Sequence, residues 1–357
     1  MEALWSPQAH GLDPYVPGEQ PNPGERLIKL NTNENPFPPS PRVREAIQAA
    51  LNDLRLYPDP TSLALREAIA AHNGHGLKAE NIFVGNGSDE VLAFCFPAFF
   101  TGRQLPLRFA DITYSFYKVY AKLFDTPYIP EPLLDDFSMP LDALCEKPCA
   151  GLLIANPNAP TGIALDLDDI ERLLKAHPDA VILVDEAYVD FGARAATPLL
   201  AQYPNLLIVR TLSKSHALAG LRVGYAMGHP YLIEALVRVK DSINSYPLDR
   251  LAQAGAQAAV ADGAYVAARC AEVATIRDDF IAALEQRGFD VLPSKANLIF
   301  ARPPKGDAAG LMAALRQHGI LVRHFSSPRI ADRLRISMGL PEEMATFLQV
   351  LDNLPVY

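Results

Sequence analysis

The sequence predicts an α/β protein, with a mostly parallel sheet between helices and a smaller α/β domain after it. Short apolar runs recur at Ile82–Val84, Leu152–Ala155, Val181–Val184, Leu206–Val209 and Val223–Met227, with helical patterns such as Asp168–Ala176 between several of them. Continuous apolar strands that alternate with helices are covered on both faces, as in parallel sheets. At 357 residues the chain is long for one core, so two domains are expected.

Residues 1–30 are rich in Pro and Gly, lack a helical period and read as an extended arm. Val43, Ile47, Ala50, Leu51 and Leu54 then share one helical face, and a second helix runs from Ser62 to about His72. The strand–helix alternation follows and completes a large domain, residues 31–247. A long helical pattern from Leu248 to Gly288, with a break near Gly263, opens the small domain, residues 248–357. Its tail reads as strands at Val291-Leu292, Leu298–Ala301, Leu321–His324 and Leu334–Ser337, with helices at Ala308–His318 and Glu342–Leu354. In the last helix Met344, Phe347, Leu348, Leu351 and Leu354 keep the period.

Net charge is −9, and no block of Lys and Arg is present. Nucleic-acid binding rests largely on phosphate neutralisation, so no nucleic-acid partner is expected, and an anionic substrate must be caught by local arginines. The cysteines Cys95, Cys145, Cys149 and Cys270 are too sparse for a disulfide scaffold. Cys145 and Cys149 lack a second pair, so no metal is expected. Met1-Glu2-Ala3-Leu4-Trp5 shows no basic region followed by an apolar core, and Val91–Phe100 is short and contains Pro97. Neither a signal peptide nor a membrane span is expected, and a cytoplasmic location follows.

The richest stretch is Thr211-Leu212-Ser213-Lys214-Ser215-His216, ending at Gly220-Leu221-Arg222 just after an apolar strand. A lysine among hydroxyls, with an arginine past a glycine, suits a Schiff base to pyridoxal phosphate whose phosphate the neighbours hold. Asp185-Glu186-Ala187-Tyr188 follows another strand. Asp185 is either a helix cap or an acid that pairs with a pyridinium nitrogen, and Tyr188 can reach the phenolic oxygen of the same ring. Asn156-Pro157-Asn158-Ala159-Pro160-Thr161-Gly162 is either a plain turn or a rigid platform for asparagine donors. Gly85-Asn86-Gly87-Ser88-Asp89-Glu90 joins a strand to a helix start, where backbone amides favour a phosphate. It fails as a dinucleotide fingerprint because Glu90 stands at the third glycine position.

Taken with Asn31–Pro36, these motifs in this order resemble the fold-type-I pyridoxal-phosphate aminotransferases. Within them Asp13–Gly18, Leu30–Pro36, Tyr57-Pro58-Asp59 and Leu334-Arg335-Ile336 resemble the histidinol-phosphate aminotransferase group, from about residue 13 onward. The resemblance implies a seven-stranded large-domain sheet and a role in histidine biosynthesis. It implies that Lys214 is the Schiff-base lysine and that Asp185 pairs with the ring nitrogen. Asn158 and Tyr188 would bond the phenolic oxygen, and Tyr114 would stack on the ring. Gly87, Ser88, Thr211, Ser213 and Arg222 would hold the phosphate. Tyr57 would reach the cofactor phosphate of the neighbouring subunit in a homodimer with shared sites. Asn33, Tyr15, Arg323 and Arg335 would bind substrate, with Arg335 on the α-carboxylate and Tyr15 and Arg323 on the substrate phosphate. His216 departs from the family's larger apolar residue and is expected to pack beside the site. The substrates implied are histidinol phosphate and glutamate or 2-oxoglutarate.

Two other activities of the same fold stay open: transamination of aromatic amino acids, and decarboxylation of threonine phosphate. A ligand-sensing regulator on the same body would need a basic DNA-binding helix pair before residue 30, and the sequence has none there.

Overall fold

The predicted apolar runs become adjacent strands because each is apolar on both of its sides. Along β2 (Ile82–Asn86), β5 (Gly151–Ala155), β6 (Val181–Asp185) and β7 (Leu206–Thr211), alternate residues enter opposite cores. Ile82, Leu152, Ile154, Ile182, Val184, Leu206 and Ile208 bury on one face of the sheet. Phe83, Leu153, Leu183, Leu207 and Val209 bury on the other. The structure is a computed structural model that describes residues 4–15, 17–22 and 24–354. Met1, Glu2 and Ala3 of the segment read for a signal peptide lie outside the described residues, as does Val16 of the Asp13–Gly18 motif.

The remaining strands are β1 (Ile28–Lys29), β3 (Leu107–Ala110), β4 (Tyr128–Glu131), β8 (Val223–Gly228), β9 (Asp290–Val291), β10 (Leu298–Arg302), β11 (Ile320–Leu321), β12 (Arg323–His324) and β13 (Leu334–Ser337). The large sheet has seven strands in the order β2-β8-β7-β6-β5-β3-β4. Only β8 runs antiparallel to its neighbours. β3 and β4 escaped the apolar-run reading because charge interrupts them. Arg108 of β3 is buried against Glu131 of β4, which also takes Lys147 at 2.6 Å. Pro130 is tolerated because β4 lies at the sheet edge.

The small domain is an antiparallel sheet, β12-β13-β10-β9, packed on helices Gly263–Glu285, Ala308–Gln317 and Pro341–Asn353. The arm is more tied down than its composition suggests. It has a short helix at Pro7–His10, β1 pairs with β11, and Leu30 buries in the small-domain core.

The predicted break near Gly263 is present, between helices Arg250–Ala261 and Gly263–Glu285. Leu248, Ala252, Ala256, Ala259 and Val260 bury in the large core, whereas Val266 and Cys270 bury in the small one. By packing, the first of these helices goes with the large domain, although the sequence reading placed it after the boundary at residue 247. The helix expected through Leu54 stops at Ala50, and Leu51 and Leu54 are 47% and 57% exposed. No helix among the described residues is long and apolar enough to cross a membrane.

Candidate functional site

Strands β2, β5, β6 and β7 point the same way, so the segments that follow them meet at one edge of the sheet. β8 starts at that edge, which brings Arg222 beside Gly87-Ser88. In the register, Gly224 sits between Thr211 and Gly85. A Cβ on Gly224 would run into the Gly87-Ser88 backbone, so glycine lets the helix start lie against the sheet. Gly87 has φ +80, and a Cβ there would collide with the Arg222 guanidinium. Ser88, Asp89, Tyr114, Ala155, Asp185, Ala187, Tyr188, Thr211, Ser213, Lys214 and Arg222 line one cavity.

Lys214 Nζ donates to Thr32 O at 3.1 Å. Burial and then the nearby Arg335 pull its pKa down to about 8. Asp185 is buried, accepts from Tyr117 Oη at 2.8 Å and from Ala187 N at 3.2 Å, and burial pushes its pKa up to about 6. Tyr188 Oη accepts from Asn33 Nδ2 at 2.9 Å, which leaves the phenolic proton to donate elsewhere. Asn33, at φ 58, is fixed by Ser337 Oγ, which takes its backbone N–H at 2.9 Å, and by Asn297 on its carbonyl at 3.0 Å.

Other expected residues divide. Tyr114 lines the cavity and donates to Asp89 Oδ1 at 2.6 Å, while Asp89 Oδ2 takes Arg222 Nη2 at 3.0 Å. The Thr211 hydroxyl is spent on the loop: it donates to Val223 O at 3.3 Å and accepts from Ser213 N at 3.1 Å. Asn158 differs from expectation. Its amide donates to Ile112 O at 3.0 Å and Thr161 Oγ1 at 3.2 Å, and its oxygen accepts from Thr113 Oγ1 at 2.7 Å. Its amide is committed to Ile112 and Thr161, and Ala159, not Asn158, is among the residues that line the cavity. His216 packs as expected: it is buried, its Nδ1 meets Ser215 Oγ at 2.9 Å, and burial lowers its pKa to about 4, so it stays neutral.

A second cavity adjoins the first through Tyr114, Ala159 and Tyr188, and Tyr15, Lys118, Arg323, Phe325 and Arg335 also line it. Tyr15 packs on Phe116 with ring centroids 4.5 Å apart. Arg323 and Arg335 are cross-strand partners on β12 and β13, both over the Phe325 ring at 5.6 and 5.7 Å. Arg335 Nη2 donates to Asn31 O at 2.6 Å, and its buried Nε has no partner. Tyr57 lines neither cavity. It is 78% exposed and stacks on Tyr246 at 4.7 Å.

This donor set fits a flat, anionic cofactor. The cavity lining offers the Asp185 carboxylate and the Lys214 amine together with the Arg222 guanidinium, the Ser88 and Ser213 hydroxyls and a helix N-terminus opened by Gly87. Among the described residues, no cluster of His, Cys, Asp and Glu is arranged to hold a metal ion. Sequence reasoning missed Tyr117, Thr32 and Asp89 as site residues. Tyr117 lies on helix Phe116–Leu123, just after Tyr114, but its partner Asp185 is 68 residues away and no local pattern reports it. Thr32 acts through its carbonyl, which no side-chain pattern reports.

The family model described as aminotransferase class I and II matches residues 25–351. The histidinol-phosphate aminotransferase of Acetobacter pasteurianus is 56% identical over 99% of this chain and 98% of its own length. That of Gluconacetobacter diazotrophicus is 57% identical with the same coverage. Among solved structures, histidinol-phosphate aminotransferase from Sinorhizobium meliloti in complex with pyridoxal-5'-phosphate superposes with TM-score 0.86 at 26% identity, covering 98% of each chain. The chain belongs to the class I and II aminotransferase family.

Proposed function

We propose that this chain is a pyridoxal-phosphate-dependent aminotransferase that moves the amino group of L-histidinol phosphate to 2-oxoglutarate, giving imidazole acetol phosphate and glutamate. The observation that carries it is Lys214, an amine with a lowered pKa that shares a cavity with the Asp185 carboxylate and an anion cradle, beside a cavity bearing Arg323 and Arg335. When bound, the cofactor supplies an electron sink for the charge that develops at the substrate Cα. Asp185 would hold the ring nitrogen and keep it protonated. Tyr188, already accepting from Asn33, would offer its own proton to the ring oxygen. Lys214 Nζ would be the base that carries the substrate Cα proton, since its pKa, lowered to about 8, makes the neutral amine accessible near that pH.

One pocket must accept the phosphate of one substrate and the carboxylate of the other. Guanidinium groups suit both, because a planar fork meets either anion with two hydrogen bonds. Tyr15, Phe325 and Ile330 give the same cavity apolar walls for a flat ring. A substrate panel in a coupled assay tests the reading. We expect kcat/KM for histidinol phosphate to exceed that for phenylalanine by about 100-fold or more, since phenylalanine brings no phosphate to the arginines. Equal values would favour an aromatic aminotransferase, and carbon dioxide release from threonine phosphate would favour a decarboxylase.

The reading includes a cytoplasmic homodimer with shared sites. Leu51, Leu54, Leu56, Tyr57 and Leu63 form an exposed apolar surface, between 46% and 78% exposed. The exposure of Tyr57 on that surface supports giving it a role at the cradle of a second copy. Sedimentation should give a dimer, and Leu54→Glu should shift it toward monomer. Tyr57→Phe should keep the dimer and weaken cofactor binding about tenfold by loss of one hydrogen bond to a charged phosphate. Unchanged affinity in that variant would remove Tyr57 from the site.

A further inference from the structure

Asp185 has an unusual set of neighbours for a carboxylate that must stay ionised. Tyr188 and Glu186 face it from its own segment, Asp89 and Cys95 from helix Gly87–Cys95, and Tyr117 and Tyr120 from helix Phe116–Leu123. The cations Lys214 and Arg222 line the same cavity, and among the described residues the hydrogen-bond donors to the carboxylate are the Tyr117 hydroxyl on Oδ2 and the Ala187 amide on Oδ1. Tyr117 is completely buried, and its ring meets the edge of Tyr114 with centroids 5.7 Å apart at 86°. One side chain therefore packs against the tyrosine that lines the cavity and bonds the acid that lines it too.

We infer that Tyr117 is a positioning residue: its hydroxyl fixes the Asp185 carboxylate in place and in its ionised form to receive the cofactor's ring nitrogen. The inference rests on the proposed role of Asp185. Geometry supports it from both sides of the acid. Two donors on different oxygens leave the carboxylate no freedom to rotate, and a hydrogen bond to the anion opposes the effect of burial. The ring nitrogen then meets a carboxylate already held, without an ordering cost at the moment of binding.

The test is reconstitution of the cofactor-free dimer with pyridoxal phosphate, followed by absorbance, for wild type, Tyr117→Phe and Asp185→Asn. Tyr117→Phe retains the ring packing and removes only the donor. Its dissociation constant for the cofactor should rise about tenfold, the loss of one hydrogen bond to a charged group. The acid limb of cofactor binding should move to higher pH by about one unit, because an Asp185 without its donor protonates more readily. In turnover kcat should fall about tenfold, with KM for histidinol phosphate within about twofold, since the substrate cavity is untouched. A purely structural tyrosine would lower the melting temperature and leave the acid limb in place, and that result would overturn the inference. If Asp185→Asn itself left cofactor affinity and absorbance unchanged, the role given to Asp185 would fail instead. A perturbed Asp185→Asn beside a wild-type-like Tyr117→Phe would sink the inference alone.

Discussion

Lys214→Ala should lose transamination by a factor of about 10⁴ or more and lose the absorption of the lysine-linked cofactor, because the variant lacks both the anchoring amine and the proton carrier. The fold should survive. Among the described residues, the lysine Nζ hydrogen-bonds only the Thr32 carbonyl. Its burial also costs stability, since burial and then Arg335 depress its pKa to about 8. The sign follows from proton counting. Between pH 8 and the ordinary lysine range the unfolded chain carries a proton that the folded chain does not, so stability rises with pH across that window. Below it the penalty is fully present. Cofactor-free Lys214→Ala should therefore melt higher than cofactor-free wild type at pH 7, and the gap should close toward pH 10. Melting curves of the two proteins at both pH values check this. A gap that does not change with pH would mean that the lysine titrates normally.

How much of this was legible in the sequence varies by element. The central strands were, because each opens with an apolar run on two faces, and the charges of β6 and β7, Asp185 and Arg210, come only toward their ends. β3 and β4 were not, because Arg108 and Glu131 satisfy one another across neighbouring strands, and a reading along the chain meets two isolated charges. The lysine stretch and Asp185 were visible as residue types at strand ends. The partners of Asn158 were not, because Ile112 and Thr113, which its side chain bonds, lie about 45 residues away in sequence. Tyr117 needed the fold as well, since its partner lies 68 residues away in sequence.

Arg335 carries the second large effect. It sits on β13 between β12 and β10, its Nη2 held by Asn31 O while its buried Nε has no partner among the described residues. A cavity-lining guanidinium with an unfilled, buried donor is a site prepared for an anion. Arg335→Lys keeps the charge and loses the fork, so kcat/KM should drop about 100-fold with both glutamate and histidinol phosphate, by loss of a buried two-point contact. Arg323→Lys should weaken histidinol phosphate selectively if that side chain serves the phosphate. Single-turnover rates with each substrate separate the two arginines, and normal rates in Arg335→Lys would end its assignment. Charge and geometry separate further by pH. Arg335 is the leading charged neighbour that depresses Lys214. Arg335→Gln removes that cation, so the Lys214 pKa should rise and the acid limb of the rate profile should move to higher pH. Arg335→Lys retains the cation, and its acid limb should stay where wild type has it. A profile that moves equally in both variants would mean that Arg335 acts on the lysine through packing and not through its charge.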